Sequence, residues 1–122
     1  MESRPSELYA DVIVLVPEGR LDANAAPGLE DALDGLEGRD VTQVVVDLHK
    51  STYISSSCLR VLIVHARRLR ERGGDVKLCC LPEAVAKVFE IAGLGAYFEI
   101  AETEQGAAQA FVTLPADAGL SP

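Results

Sequence analysis

Three consecutive serines, Ser55 to Ser57, are the residues whose type and position in this chain most directly suggest chemistry. They lie between a segment with a strand pattern and a segment with a helical pattern, and therefore at the start of a helix. The first N–H groups of a helix have no partner within it and attract anions such as phosphate. The serines are therefore either simple helix caps or sites of modification.

Catalysis by Ser56 would require a histidine that is itself oriented by a carboxylate. The chain has two histidines, His49 and His65, and no Gly-x-Ser-x-Gly motif surrounds the serine run. His49 is predicted in a surface loop, and His65 on the solvent side of a helix. A small α/β serine enzyme is therefore only a remote alternative, and no catalytic residue is predicted.

The three cysteines, Cys58, Cys79 and Cys80, do not have the spacing of a disulfide framework or a zinc motif. In a strand, Cys79 and Cys80 would point to opposite faces and could not easily share a metal ion. Cys58 is expected to be a packed or partly exposed thiol, with a redox role as the alternative. Asp22 and Asp47 follow strands and are explained by loop capping. Neither a metal nor a cofactor is predicted.

The 122 residues carry a formal net charge of −8, from 19 acidic and 11 basic residues. This balance disfavours binding to nucleic acids or to anionic membranes, which require a basic surface. The longest apolar stretches, residues 12–16 and 61–66, are far shorter than the about 20 residues that cross a bilayer. The first five residues contain no apolar run, so no signal peptide is expected and the predicted location is the cytoplasm.

Apolar runs and turn residues predict an alternation of strands and helices along the chain. Strands are predicted at 8–16, 44–48, 75–81 and 97–100, with a loop at 49–52 after the second. Helices are predicted between a cap near Asp22 and Gly38, from the serines to about Arg72, from Pro82 to Gly93, and after Thr103.

This alternation predicts an α/β domain with a mixed, mostly parallel sheet of four to five strands and about four helices. The predicted domain spans residues 8–111. Residues 1–7 are interpreted as a lead-in, and residues 112–122 as a flexible tail.

The helix after the serines has two contrasting faces when it is wound at 100° per residue. Its core face collects Leu59, Leu62, Ile63, Ala66 and Leu69. The opposite side collects Ser57, Val61, Val64, His65 and Arg68. Two valines on a side that should meet water have two interpretations. Either a neighbouring helix covers them, or they belong to a docking patch beside the serines that is flanked by Arg60, Arg67, Arg68 and Arg72.

Several segments, in their order and spacing, resemble the STAS domain of bacterial anti-sigma factor antagonists. The matching segments are Gly19–Asp22, Val45–Leu48, Tyr53–Leu62, Arg72–Gly74, Val88–Leu94 and Tyr97–Ile100. The resemblance implies a STAS-like fold, and a non-enzymatic protein that binds an anti-sigma factor and thereby releases a sigma factor.

In that family the anti-sigma factor is a serine kinase that uses ATP, and a serine phosphatase reverses the modification. The resemblance implies that Ser56 is the phosphoacceptor and that Ser57 takes the next hydroxyl position. The implied partner-binding residues are Tyr53, Ser56, Ser57, Arg60, Val61, Val64 and Arg68. An alternative within the same fold is a scaffold or accessory subunit of a stress-signalling or lipid-transport assembly, without phosphorylation.

Two residues differ from the Asp-Ser-Ser/Thr-Gly-Leu motif of the family. Ser55 replaces the aspartate, and Cys58 replaces the glycine. Serine caps a helix about as well as aspartate, so the fold is expected to survive, but a negative charge beside Ser56 is lost. The cysteine is expected to add a side chain where a partner backbone approaches. A kinase that uses the carboxylate would phosphorylate this chain less well.

Overall fold

The computed structural model describes residues 1–112, which form seven strands, four α-helices and one short 3₁₀ helix. The strands are β1 (Glu2–Pro5), β2 (Val12–Val16), β3 (Gly19–Leu21), β4 (Gln43–Asp47), β5 (Ser51–Ile54), β6 (Asp75–Cys79) and β7 (Ile100–Ala101). The helices are α1 (Ala26–Gly38), α2 (Ser56–Glu71), α3 (Glu83–Ile91) and α4 (Glu104–Val112), with the 3₁₀ helix at Ala23–Ala25.

Five of the strands form one mixed sheet in the order β1-β2-β4-β6-β7. Strand β1 is antiparallel to β2, and the other neighbours are parallel. Strands β3 and β5 form a second, parallel sheet of two strands. The carboxyl ends of β4 and β6 therefore lie at one edge of the main sheet, and the short β5 leads from that edge into α2.

The two faces of the main sheet bury different side chains. On one face, leucines from α1 and α2 and Phe89 from α3 pack against alternate strand residues such as Val46 and Leu78. On the other face, Ala107 and Ala108 of α4 pack against the intervening residues, which include Val45 and Cys79. Helix α2 and its serines thus lie on the larger, three-helix side.

Local side chains set the ends of the elements that flank the serine run. The Asp22 carboxylate accepts hydrogen bonds from the backbone N–H groups of Asn24 and Ala25. The turn after α2 requires Gly74, because a Cβ atom there would lie 1.9 Å from the backbone oxygen of Thr42. The first contact starts the 3₁₀ helix before α1, and the second holds the turn after α2 against the residue that precedes β4.

The predicted fold class is confirmed: the sheet is mixed and mostly parallel, and four helices surround it. Several details differ: β2 begins at Val12 rather than residue 8, β6 ends at Cys79 rather than Leu81, and β3 was not predicted. Strand β1 lies within the segment interpreted as a lead-in, β5 begins inside the predicted loop at 49–52, and β7 begins at Ile100 rather than Tyr97.

The predicted cap at Thr103 is confirmed, since its hydroxyl oxygen accepts from the N–H of Gly106 at 3.0 Å. Of the predicted tail, residue 112 ends α4, and residues 113–122 lie outside the described part of the chain. None of the helices within residues 1–112 combines the length and the apolar character that crossing a membrane demands.

Candidate functional site at the start of helix α2

Ser55 is the cap that joins β5 to α2. Its backbone is extended, and its hydroxyl oxygen accepts a hydrogen bond from the N–H of Cys58 at 3.3 Å. Its own N–H donates to the carbonyl of Leu21 at 2.8 Å, which ties the start of α2 to β3. Serine therefore performs the capping role of the family's aspartate without its charge.

The next three residues differ sharply in exposure. Ser56 is exposed, Ser57 is half-buried, and Cys58 is fully buried. The Cys58 thiol points inward and donates to the carbonyl of Asp22 at 3.4 Å. The expectation that Cys58 lies where a partner approaches is therefore wrong, because the side chain fills space beneath the helix start.

The buried position of Cys58 also bears on its reactivity. Burial raises the pKa of this thiol, although its neighbour Ser55 partly opposes the effect. A raised pKa leaves little thiolate at neutral pH, and the thiolate is the reactive form. The arrangement favours the packed thiol over the redox role.

Tyr53 and Arg20 form the surface beside the serines. They are paired in the register of β3 and β5, and the Arg20 guanidinium lies 4.4 Å from the centre of the Tyr53 ring. Tyr53 is 36% exposed. The sequence pattern did not assign a role to Arg20. The only sign of its position beside the serines was that it belongs to the family-like segment Gly19–Asp22.

The predicted docking residues of α2, apart from the half-buried Ser57, fall on two stripes of the helix. The outer stripe, defined as Ser56, Arg60, Val64 and Arg67, has every side chain exposed, and Val64 is 37% exposed. The α1-facing stripe, defined as Cys58, Val61, His65 and Arg68, turns toward the 3₁₀ helix and α1. Val61 packs against the core, as the first interpretation predicts. Val64 meets solvent, so its place in a docking patch stays a prediction.

His65 is the clearest departure from the expected pattern, because the predicted solvent-facing side chain is 0% exposed. Its Nδ1 lies 2.9 Å from the carbonyl oxygen of Val61, and its Nε2 lies 2.9 Å from Asp34 Oδ1 on α1. Glu37 Oε1 is 3.3 Å from the same nitrogen. Acidic residues of α1 supply partners for the histidine, which the sequence of α2 alone could not reveal.

Arg68 completes this network between the two helices. Its guanidinium donates to Asp34 at 2.9 Å and to Glu37 at 2.7 Å, and it lies 3.0 Å from His65 Nε2. Hydrogen bonding to Glu37 raises the pKa of Arg68, and hydrogen bonding to His65 lowers the pKa of Asp34. Arg68 occupies the place a metal ion would need among these acceptors, so its first role is to join α1 and α2.

His49 is an exposed loop residue, as predicted, and it pairs with Asp47 rather than with the serines. Its Nδ1 is 2.7 Å from Asp47 Oδ1, and its backbone N–H donates to the same oxygen at 2.9 Å. Among the hydrogen bonds of residues 1–112, none joins either histidine to Ser56. The described structure thus contains no Ser-His-Asp arrangement.

The sequence of this chain is similar to that of known proteins. The family model for the STAS domain matches residues 5–107. The chain belongs to the STAS-domain family of anti-sigma factor antagonists. BtrV of Bordetella bronchiseptica is 35% identical over 102 residues, which cover 84% of this chain and 88% of BtrV. The anti-sigma-B factor antagonist of Listeria monocytogenes is 30% identical over 98 residues, covering 80% and 86% of the two chains.

Solved structures show the same fold at lower identity. A Thermotoga maritima protein has a TM-score of 0.83 at 19% identity, covering 92% of this chain and 94% of that one. The Bacillus antagonist SpoIIAA has been solved in two forms. Its unphosphorylated form has a TM-score of 0.66 at 17% identity, with coverages of 91% and 97%. Its phosphorylated form has a TM-score of 0.65 at 19% identity, with coverages of 89% and 98%.

Proposed function

We propose that this STAS domain binds an anti-sigma factor with serine kinase activity and so releases a sigma factor. Phosphorylation of Ser56 ends the binding, and a serine phosphatase restores it. The observation that carries the proposal is the exposure of Ser56 at the start of the outer stripe, beside Tyr53 and Arg20. Ser57 is half-buried, which makes Ser56 the more accessible hydroxyl.

The local electrostatics favour a phosphate at Ser56. Within the described chain the first turn of α2 carries no acidic residue, and Arg60 lies one turn further along the same stripe. A phosphoserine brings about −1.5 to −2 charges and would be stabilised by the free N–H groups and the helix dipole. The domain therefore accommodates the phosphate without rearrangement.

A partner docked over the outer stripe would experience the same phosphate very differently. Its surface would meet new charge and bulk where an uncharged hydroxyl had been, and desolvating that charge costs binding energy. Binding is thus switched by a local change on an unchanged fold.

The proposal is tested by incubating the protein with candidate anti-sigma kinases and Mg-ATP, and locating any phosphate by mass spectrometry. We expect a single phosphate on Ser56. Ser56→Ala should remove it, and the matched variant Ser57→Ala should retain it. The unmodified protein should form a complex with the same kinase that the phosphorylated protein does not form.

Other results would change the proposal in defined ways. Phosphate on Ser57 would reassign the acceptor. Tight binding without phosphate would indicate a constitutive antagonist. The replacement of the family's aspartate by Ser55 would then explain why the kinase does not modify the chain. Neither binding nor phosphate with the full set of host kinases would contradict the proposal and favour a scaffold role in another assembly.

A further inference from the structure

The edge of the main sheet carries a second group of reactive side chains, on the face away from α2. Asp47 ends β4, Cys79 ends β6, and the two residues are direct register partners. Asp47 is 4% exposed and Cys79 is 0% exposed. Both side chains lie on the α4 side of the sheet, together with Val45.

Cys80 joins this pair because its backbone leaves the strand conformation. In a continuing strand it would point to the opposite face, but its φ is +62°, in the left-handed region. One carboxylate oxygen of Asp47 and the two sulfur atoms consequently lie within 4.8 Å of one another. The expectation that Cys79 and Cys80 point to opposite faces is therefore wrong, because the strand ends at Cys79 and Cys80 does not continue its alternation.

The left-handed conformation is one that glycine adopts without strain and that a cysteine adopts at a cost. The Cys80 side chain packs at the margin of the α4-side core in spite of this cost, and it stands beside another thiol and a carboxylate. Two sulfurs and one oxygen form a ligand set of the zinc type, whereas magnesium and calcium prefer oxygen ligands.

The surroundings suit a bound cation. Ligand atoms of a tetrahedral zinc site lie about 3.5–3.8 Å apart, given a Zn–S bond of about 2.3 Å. The three ligand atoms here lie within 4.8 Å of one another, so each would need to move closer to the others by no more than about 1 Å to bind zinc. The ring and N–H of His49 hold the Asp47 carboxylate, as the outer partners of metal ligands commonly do. Cys80 is only half-buried, so the cluster reaches the surface at this residue.

We propose that Asp47, Cys79 and Cys80 bind one divalent cation of the zinc class, with a fourth position open to water. The site is independent of the proposed function, since it lies on the other face of the sheet from α2.

The test is titration of the reduced, full-length protein with Zn²⁺ by calorimetry and with Co²⁺ by absorbance. We expect one equivalent of Zn²⁺, a thiolate-to-cobalt charge-transfer band, a rise in thermal stability with Zn²⁺, and no effect of Mg²⁺. Cys80→Gly should lower the Zn²⁺ affinity by about tenfold or more, in the range seen when metal sites lose a supporting group, and should weaken the band, which then comes from Cys79 alone. It should not destabilise the metal-free protein, because glycine relieves the left-handed strain.

The matched control is Cys58→Ala, which removes a buried thiol elsewhere and should leave Zn²⁺ binding unchanged. Absence of a charge-transfer band in the wild-type protein would overturn the proposal. So would a Zn²⁺ affinity that Cys80→Gly does not alter, or one that Cys58→Ala weakens as much.

Discussion

The two stripes of helix α2 have opposite characters although one run of 16 residues carries both. The outer stripe presents a hydroxyl, two arginines and a valine to solvent. The α1-facing stripe is closed by the buried Cys58 and by the network of His65 and Arg68 with α1. We infer that the outer stripe serves partner binding and that the α1-facing stripe serves the stability of the fold. Changes on the outer stripe should alter partner affinity alone, and changes on the α1-facing stripe should alter folding first.

The largest effect is expected for His65→Ala. It removes a fully buried ring and leaves Asp34 and Glu37 without that partner, so the free energy of unfolding should fall by about 2–4 kcal/mol. Urea unfolding followed by circular dichroism measures this change. The control Val64→Ala, one residue away on the outer stripe, should change stability by less than about 0.5 kcal/mol. An unchanged urea midpoint for His65→Ala would mean that the α1-facing stripe is not structural.

Val64→Asp should show the reverse pattern. Since Val64 is already 37% exposed, the fold should survive, but a charge within the proposed docking surface should weaken binding of the anti-sigma factor by about 10–100-fold, or about 1.4–2.8 kcal/mol. Calorimetry with the purified partner measures the loss.

Leu8→Asp is the matched control for Val64→Asp. Leu8 is an exposed apolar residue in the turn between β1 and β2, at the other end of the sheet, and its substitution should leave binding unchanged. If Val64→Asp unfolds the domain, Val64 belongs with the α1-facing stripe after all. If Leu8→Asp weakens binding equally, the effect is one of overall charge.

Ser55→Asp should have a smaller and favourable effect on stability. It restores the family's aspartate at the cap and places a negative charge at the helix start, which is worth about 0.3–1 kcal/mol. If the carboxylate also assists the kinase, the phosphorylation rate of Ser56 should rise in the same variant. A stability gain without a faster reaction would separate the capping role of position 55 from any catalytic one.

The smallest change in stability at neutral pH is expected for Asp34→Asn, because asparagine keeps an oxygen that can accept from Arg68. The pKa of Asp34 is lowered in the folded protein, so its contribution is present above the unfolded pKa and is lost as the pH falls through the folded one. The stability difference between wild type and variant should therefore shrink in strong acid. Urea midpoints across the acidic range test this, and a difference that grows on acidification would contradict it.

Much of the fold could be predicted because apolar runs and caps are local signals. Strands β2, β4 and β6 are runs of buried residues, and the caps at Asp22 and Thr103 act as predicted. Strand β1 was missed because Glu2–Pro5 is short and polar and has no apolar pattern. It is a strand because it pairs with β2 at the edge of the sheet. Strand β5 was missed for a similar reason, since it depends on the three-residue β3.

The candidate site was predictable only where it depends on one segment. The strand–helix junction marks the serine run, and the family resemblance selects Ser56 within it. His65 was misplaced because its burial depends on Asp34 and Glu37 of another helix. The side chains of Cys79 and Cys80 lie on the same side of the sheet because Cys80 has a positive φ, and the pattern of apolar and polar residues does not predict that angle.

Gly74 has a consequence for how such domains diverge. Any side chain at this position would collide with the backbone of Thr42, so mutation there is barred whatever the partner or the signal. Part of the Arg72–Gly74 segment by which the family can be recognised is therefore preserved by steric exclusion at the far end of α2 from the serines. In evolution that segment should stay fixed while positions such as Ser55 drift with the kinase, so family membership and regulatory mode can be inherited separately.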